Sequence, residues 1–565
     1  MSTSTRTRLW SGLLLGLACL LFSSVPASAA TRTWTGAGAG GSSSATNFNT
    51  AANWGGTLPG PNDSCYINIT SASVSPLTIS LSAPITIGAL KIFENSGSAL
   101  TFTLDVGNNT LTINPNTSAT PTAGFLVCDI PSGQSSSSTH LHVGTSGSFV
   151  VGGTTLLGVV NSDDNGTRAI IMEGNGGTTS SFVFRGPVTL GAIAKTTGAT
   201  GFPGKYVFAA TGAQSVTNNT NYVNQFSSVD IGDGTNSPTV TWGGAPTNAS
   251  TLTTDLRVLT GSTLILGTQT LNRSASGGTL TLQANATLKT GAAYPTNYAT
   301  STLDPTSTVE YNGTGAQTIN GLNYGNLTIS GAHTTNSVTL VSGGTIGIAG
   351  ALTSTATFTT GAFVTTNNTV NFNGVGAQTV AAFNYNNLTI SGAHTTNNVT
   401  LVNGGTIGVA GTFTNSASFT SGGFVTTGNT VNYNGSGAQT IAAFNYNNLT
   451  SSSSGARTLV SGGTIGVAGT FTPGTNTYTI AGNTLDYNGT GAQTVAAFNY
   501  NNLNVSGTRT TNSVTLINGG TIGVAGTLAN SATFSSGGFV TTGNTVNYNG
   551  SGSQNIAAVN YRTLT

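Results

Sequence analysis

The chain has 565 residues, of which only 5% are charged, with 14 basic residues against 13 acidic. That balance gives no electrostatic case for nucleic acid or an anionic membrane as partner, and 79 glycines without a Gly-X-Y period exclude collagen. Solubility must come from Thr, Asn, Ser and Gly instead. Apolar residues nevertheless recur at period two, as in NSVTLVSGGTIGIAG at 336–350, which marks half-buried strands and not disorder. No helical periodicity follows the first thirty residues, so the expected class is all-β.

Residues 1–29 read as a secretory signal peptide. Arg6 and Arg8 precede an apolar run from Leu9 to Val25, and Ala27-Ser28-Ala29 offers an A-x-A cleavage site. Cys19 is part of the apolar run and a poor lipid-attachment site. Cleavage leaves a secreted or cell-surface chain with a net charge of about −1. No later stretch reaches the roughly 18 to 20 apolar residues of a membrane helix.

Residues 30–70 are expected to cap the first coil of a solenoid, with Trp34 and Trp54 as structural anchors. An exported chain could join Cys65 to Cys128 by a disulfide; two buried thiols are the alternative. Residues 71–310 are expected to form irregular coils. Here Asp163-Asp164-Asn165-Gly166 and Asp230, Asp233 and Asn236 could offer oxygen ligands to calcium, but the same residues are ordinary turn formers, and no EF-hand spacing is present. His140 and His142 would share one strand face, as a metal pair requires, without a third ligand evident.

From 311 to 565 the chain repeats. GAQTINGLNYGNLTISG, GAQTVAAFNYNNLTISG, GAQTIAAFNYNNLTSSS, GAQTVAAFNYNNLNVSG and GSQNIAAVNYRTLT place Gln317, Gln378, Gln439, Gln493 and Gln554 at intervals of 61, 61, 54 and 61 residues. GAQSVTNNTNYVNQFSSVDIG, from Gly212, is a degenerate copy. Pieces of about twenty residues cannot bury an apolar face alone and must stack. The expected fold is an elongated solenoid of parallel strands, with three coils per unit, a rise of roughly 14 Å per unit and a rod of order 120 Å. The glutamines are read as structural corner residues that bond to neighbouring backbone. Tyr385, Tyr446 and Tyr500 offer an alternative reading as carbohydrate contacts.

The segment TWTGAGAGGSSSATNFNTAANWGGTLPGPNDSCYINI resembles the opening of large bacterial β-helix surface proteins, and the G-x-G-A-Q-T-[IV] with Y-x-N-L-T-[IV] phrase resembles exported β-strand-repeat proteins of Bacteroidetes-type bacteria. The resemblance implies a right-handed parallel β-helix at the cell surface, adhesin-like. The expected function is a noncatalytic adhesin or structural stalk without cofactor or metal, whose partners would be glycans or other cell-surface components.

An alternative is a polysaccharide-binding or polysaccharide-degrading protein with its site in residues 90–310, which requires Asp129, Asp163, Asp164, Glu173, Asp230 and Asp233 to converge in one groove. The repeats cannot supply that chemistry, because Asp486 is their only acidic residue and Arg457, Arg509, Arg562, His333 and His394 complete their ionisable basic groups. An ice-binding threonine face is a minor alternative, opposed by the unequal coil lengths. The chain stops at NYRTLT, within a repeat, so it is expected to be a fragment of a longer protein with a C-terminal secretion or attachment domain.

Overall fold

The computed structural model describes residues 29–37, 39, 45–71, 75–95, 99–114, 126–130, 138–157, 169–174, 179–191, 194–195, 204–218, 225–244 and 250–565. Residues 1–28 of the segment read as a signal peptide and the Asp163 to Gly166 stretch lie outside them. Among the described residues the regular structure is β throughout, apart from one turn of 3-10 helix at Ala51–Trp54. The chain forms two compact units, 1–198 and 199–565. Each is a parallel β-solenoid.

In the first unit a coil is three strands, one in each of three parallel sheets, exemplified by Ala89–Glu94, Thr101–Asp105 and Thr110–Ile113. Alternation sends every second side chain inward. Stacking in register then builds continuous interior rows, such as Ile67, Ile92, Cys128 and Leu157, all fully buried. Each such aliphatic side chain contributes about 1.5 to 3 kcal/mol on burial, which is why no single coil is stable but a stack is.

The same register corrects the disulfide expectation. Cys65 lies beside Leu90 and Cys128 beside Ile92, so strand Ala89–Glu94 runs between the two buried thiols. Two strand spacings, about 9.6 Å, exceed the roughly 7 Å that a disulfide spans.

The chain before the first full coil packs onto that coil. Thr31–Thr33 adds a strand to Ser64–Ile69, and Phe48 N–H donates to the Ser80 carbonyl at 2.9 Å in a second sheet. Between them Trp34, Phe48 and Trp54 form a buried cluster, with Trp34 and Trp54 centroids 5.2 Å apart. Both indole N–H groups are satisfied, by the carbonyls of Ala37 (3.1 Å) and Phe48 (2.7 Å).

The second unit contains the repeats, and here the structure changes the expected count of three coils per unit. Residues 369–429 supply eight face strands: Thr369–Phe372, Gln378–Val380, Asn384–Tyr385, Asn387–Ile390, Val399–Leu401, Thr406–Val409, Phe413–Asn415 and Phe424–Val425. Short strands Ala393–His394 and Ser418–Phe419 add a pair at one corner. Where face strands pair, each bonds to the third one following, as Thr369–Phe372 does to Asn387–Ile390 and Gln378–Val380 to Val399–Leu401. Three strands make a coil, so eight make two and two-thirds.

Thr430–Tyr433, the counterpart of Thr369–Phe372, therefore lies one face short of three whole coils, in the sheet that holds Asn384–Tyr385 and Thr406–Val409. Each unit rises about 13 Å, and equivalent strands return to one face only every third unit.

The 54-residue unit shows how a deletion is absorbed. In the two full-length units before it a buried His333 or His394 closes a corner by bonding the carbonyl of Gly315 or Gly376, at 3.1 and 3.0 Å. The shortened unit lacks that corner strand. Arg457, at the strand position occupied elsewhere by Val338 or Val399, extends its buried guanidinium to the corresponding Gly437 carbonyl (3.3 Å) and to the carbonyls of Tyr433 (3.0 Å), Gly435 (3.0 Å) and Ser452 (2.7 Å). One long side chain fills the space of the missing residues.

Candidate functional site

The repeated phrase is built into the solenoid wall. Gln378 accepts a bond from Gly374 N–H (2.9 Å) through Oε1 and donates through Nε2 to the carbonyls of Ile348 (2.8 Å) and Ala349 (3.1 Å) in the coil below. Gln317, Gln439, Gln493 and Gln554 bond the glycine four residues earlier in the same way. In the degenerate copy Gln214 accepts from Ala210 N–H at 3.3 Å.

A second device explains the glycine of the TIG[IV] strands. A Cβ on Gly408 would lie 2.0 Å from Asn384 Oδ1, because Asn384 and Asn434 join across it, Nδ2 to Oδ1 at 3.3 Å. The same bridge spans Gly347, Gly466 and Gly523.

Tyr385, Tyr446 and Tyr500 cannot meet a carbohydrate in this fold, since each is at most 1% exposed. Their hydroxyls donate inward, to the carbonyls of Ala381, Ala442 and Ala496. Burial holds the phenols of Tyr446 and Tyr500 well above the usual tyrosine range.

Of the carboxylates proposed to converge, Glu173 belongs to the first unit and Asp230 and Asp233 to the second, and each has partners of its own. Asp230, buried, pairs with Arg257, whose Nε donates to Oδ1 at 2.7 Å. Asp233 closes a turn by accepting from Asn236 N–H (2.7 Å) and Thr235 N–H (3.0 Å). Glu173 instead joins His140 on another sheet.

That sheet carries the one polar constellation with catalytic connectivity among the described residues. His140 and His142 project outward from strand Ser138–Val143, flanked by Thr101–Asp105 and Ala169–Gly174. His142 Nδ1 lies 2.7 Å from Asp105 Oδ1, and this bond leads the causes that hold the Asp105 carboxyl below its ordinary range. His140 Nδ1 lies 2.6 Å from Glu173 Oε1, and its Nε2 lies 2.9 Å from Ser138 Oγ. Hydroxyl, imidazole and carboxylate thus stand in the order that nucleophilic catalysis uses. The Ser138 amide, however, donates to the Leu100 carbonyl (2.8 Å) and is not available to an oxyanion.

No group of three metal-ligating side chains occurs among the described residues. The cluster escapes a reading of the sequence because Glu173 lies 33 residues from His140 and Asp105 lies 37 residues from His142; only the register of adjacent coils joins them.

In the second unit a notch lies where Phe424 and Phe444 meet edge to face at 4.9 Å, bordered by Asn415, Thr426, Asn445 and Thr464 and enclosing about 560 Å³. No helix among the described residues is long and apolar enough to cross a membrane. Comparison with protein-family models, with curated proteins and with solved structures finds no match.

Proposed function

We propose that this chain is an exported bacterial cell-surface or extracellular repeat protein of the Bacteroidetes type, acting as a noncatalytic adhesin or structural stalk whose units supply length. The observation that supports this reading most directly is the outer surface of the repeats. Facing rows such as Thr406, Thr430 and Asn448, or Asn432 and Thr450, are uncharged and polar, while each added unit extends the same core. Such a surface resists lateral sheet-edge association because each edge is covered by the next coil.

The test is attachment of cells displaying the full chain against cells displaying a chain without residues 369–429. Reduced attachment at equal surface density supports the reading; attachment no greater than that of cells without the protein overturns it.

A second reading, a polysaccharide-modifying hydrolase, is favoured only by the Ser138, His140 and Glu173 chain of bonds. Release of reducing sugar or of ester-linked acyl groups by the purified protein, lost in Ser138→Ala, would select it over the first.

A further inference from the structure

We propose that the aromatic notch recurring in the repeats is a subsite for an uncharged polysaccharide, with neighbouring notches engaging different glycan chains. This rests on the adhesin reading and names its ligand class. Its aromatic pair is reproduced from unit to unit. Phe363 and Phe383 meet at 4.8 Å one unit earlier, and Tyr478 and Phe498 at 4.8 Å one unit later. The outer ring of each pair, Phe363, Phe424 or Tyr478, is only half-buried. Core filling alone does not require an aromatic partner here, because in the last copy Val559 takes the place of Phe383, Phe444 and Phe498.

What the pair adds is ring surface beside a rim of amide and hydroxyl groups. That combination is complementary to a sugar, which has an apolar C–H face and hydroxyls that both donate and accept. The volume of about 560 Å³ falls within the range of small-molecule sites.

Charge narrows the class. Asp486 is the only acidic residue from 311 onward, and Arg457 and Arg509 are turned into the core. An acidic glycan therefore finds no counter-charge at the notches, whereas a neutral one loses nothing. Geometry sets the mode of binding. Each unit shifts the pattern by one face, so consecutive notches point in different directions round the solenoid. One straight polysaccharide cannot occupy two of them in succession. Several chains are gathered instead, which is cross-linking.

The experiment is a glycan array carrying neutral and acidic polysaccharides, probed with the full secreted chain and two triple variants. Thr365→Trp, Thr426→Trp and Ile480→Trp fill the notches from the rim. Phe363→Leu, Phe424→Leu and Tyr478→Leu leave an aliphatic side chain at these half-buried positions but remove the outer rings, so a folded variant is at hand even if the first set disturbs packing.

The proposal expects retention of neutral glycans by the parent chain and at least a roughly hundredfold weakening in both variants, since multivalent attachment is lost together. Absence of neutral-glycan binding by the parent, or equal binding by folded variants, overturns it. Cell attachment is measured in parallel. Undiminished attachment by the variants removes the notch while leaving the adhesin reading in place, and loss of attachment by the parent removes both.

Discussion

Replacing Gln378 with leucine should open the solenoid locally and strongly. The side chain is 4% exposed and is the acceptor for Gly374 N–H as well as a donor to the carbonyls of Ile348 and Ala349. Ile348 O keeps a second donor, Asn373 N–H, so the amide of Gly374 and the carbonyl of Ala349 are the groups that lose their partner. A buried unsatisfied amide costs about 1 to 3 kcal/mol, and each of the two lost bonds to a carbonyl about 1 kcal/mol more, for a total of roughly 3 to 5 kcal/mol. Because coils contact only their neighbours, the loss should stay local.

Hydrogen exchange read by mass spectrometry should show faster exchange in peptides covering 346–351 and 372–380, with peptides beyond 440 unchanged. Gln554 makes the same bonds, but in partly exposed surroundings, where water can replace the amide. Gln554→Leu should therefore cost less than half as much. Equal costs at the two positions, or exchange rising uniformly along the chain, would refute the argument from burial.

Three further outcomes follow from the same structure. Burial pushes the phenols of Tyr311, Tyr433 and Tyr487 up to about 12; the unfolded chain gives up these protons near pH 10, so stability is full below that pH and is lost as it rises towards 12, with phenolate absorbance appearing together with unfolding and not before it. Burial also raises the Cys65 thiol far above its ordinary range, so the native chain should resist alkylation at that position, and a reducing agent should leave its melting temperature unchanged. Asp105 is held low, first of all by its bond to His142, and a depressed carboxyl contributes stability above its unfolded pKa that is lost as pH falls through the folded value; His142→Ala should shift the Asp105 titration, followed by carboxyl NMR, to higher pH, and no shift would show that the bond does not hold the carboxyl down.

The sequence by itself determined the class of fold, because period-two apolar positions and a fixed repeat have one economical solution, strands stacked so that each coil covers the last. It also carried the Gln phrase, since a residue able to donate and accept, placed next to glycines, suits a buried corner. Three matters were decided only in three dimensions. The number of coils per unit depends on which strand pairs with which, and turn lengths alone led to three where pairing with the third strand following gives two and two-thirds. The fate of Tyr385, Tyr446 and Tyr500 depends on which side of the wall each two-residue NY strand presents, and alternation over so short a run cannot fix it. The outward cluster of Ser138, His140, His142, Asp105 and Glu173 exists because three successive coils lie in register; coil length in this part of the chain is irregular, so no periodicity in the sequence connects those residues before the sheet does.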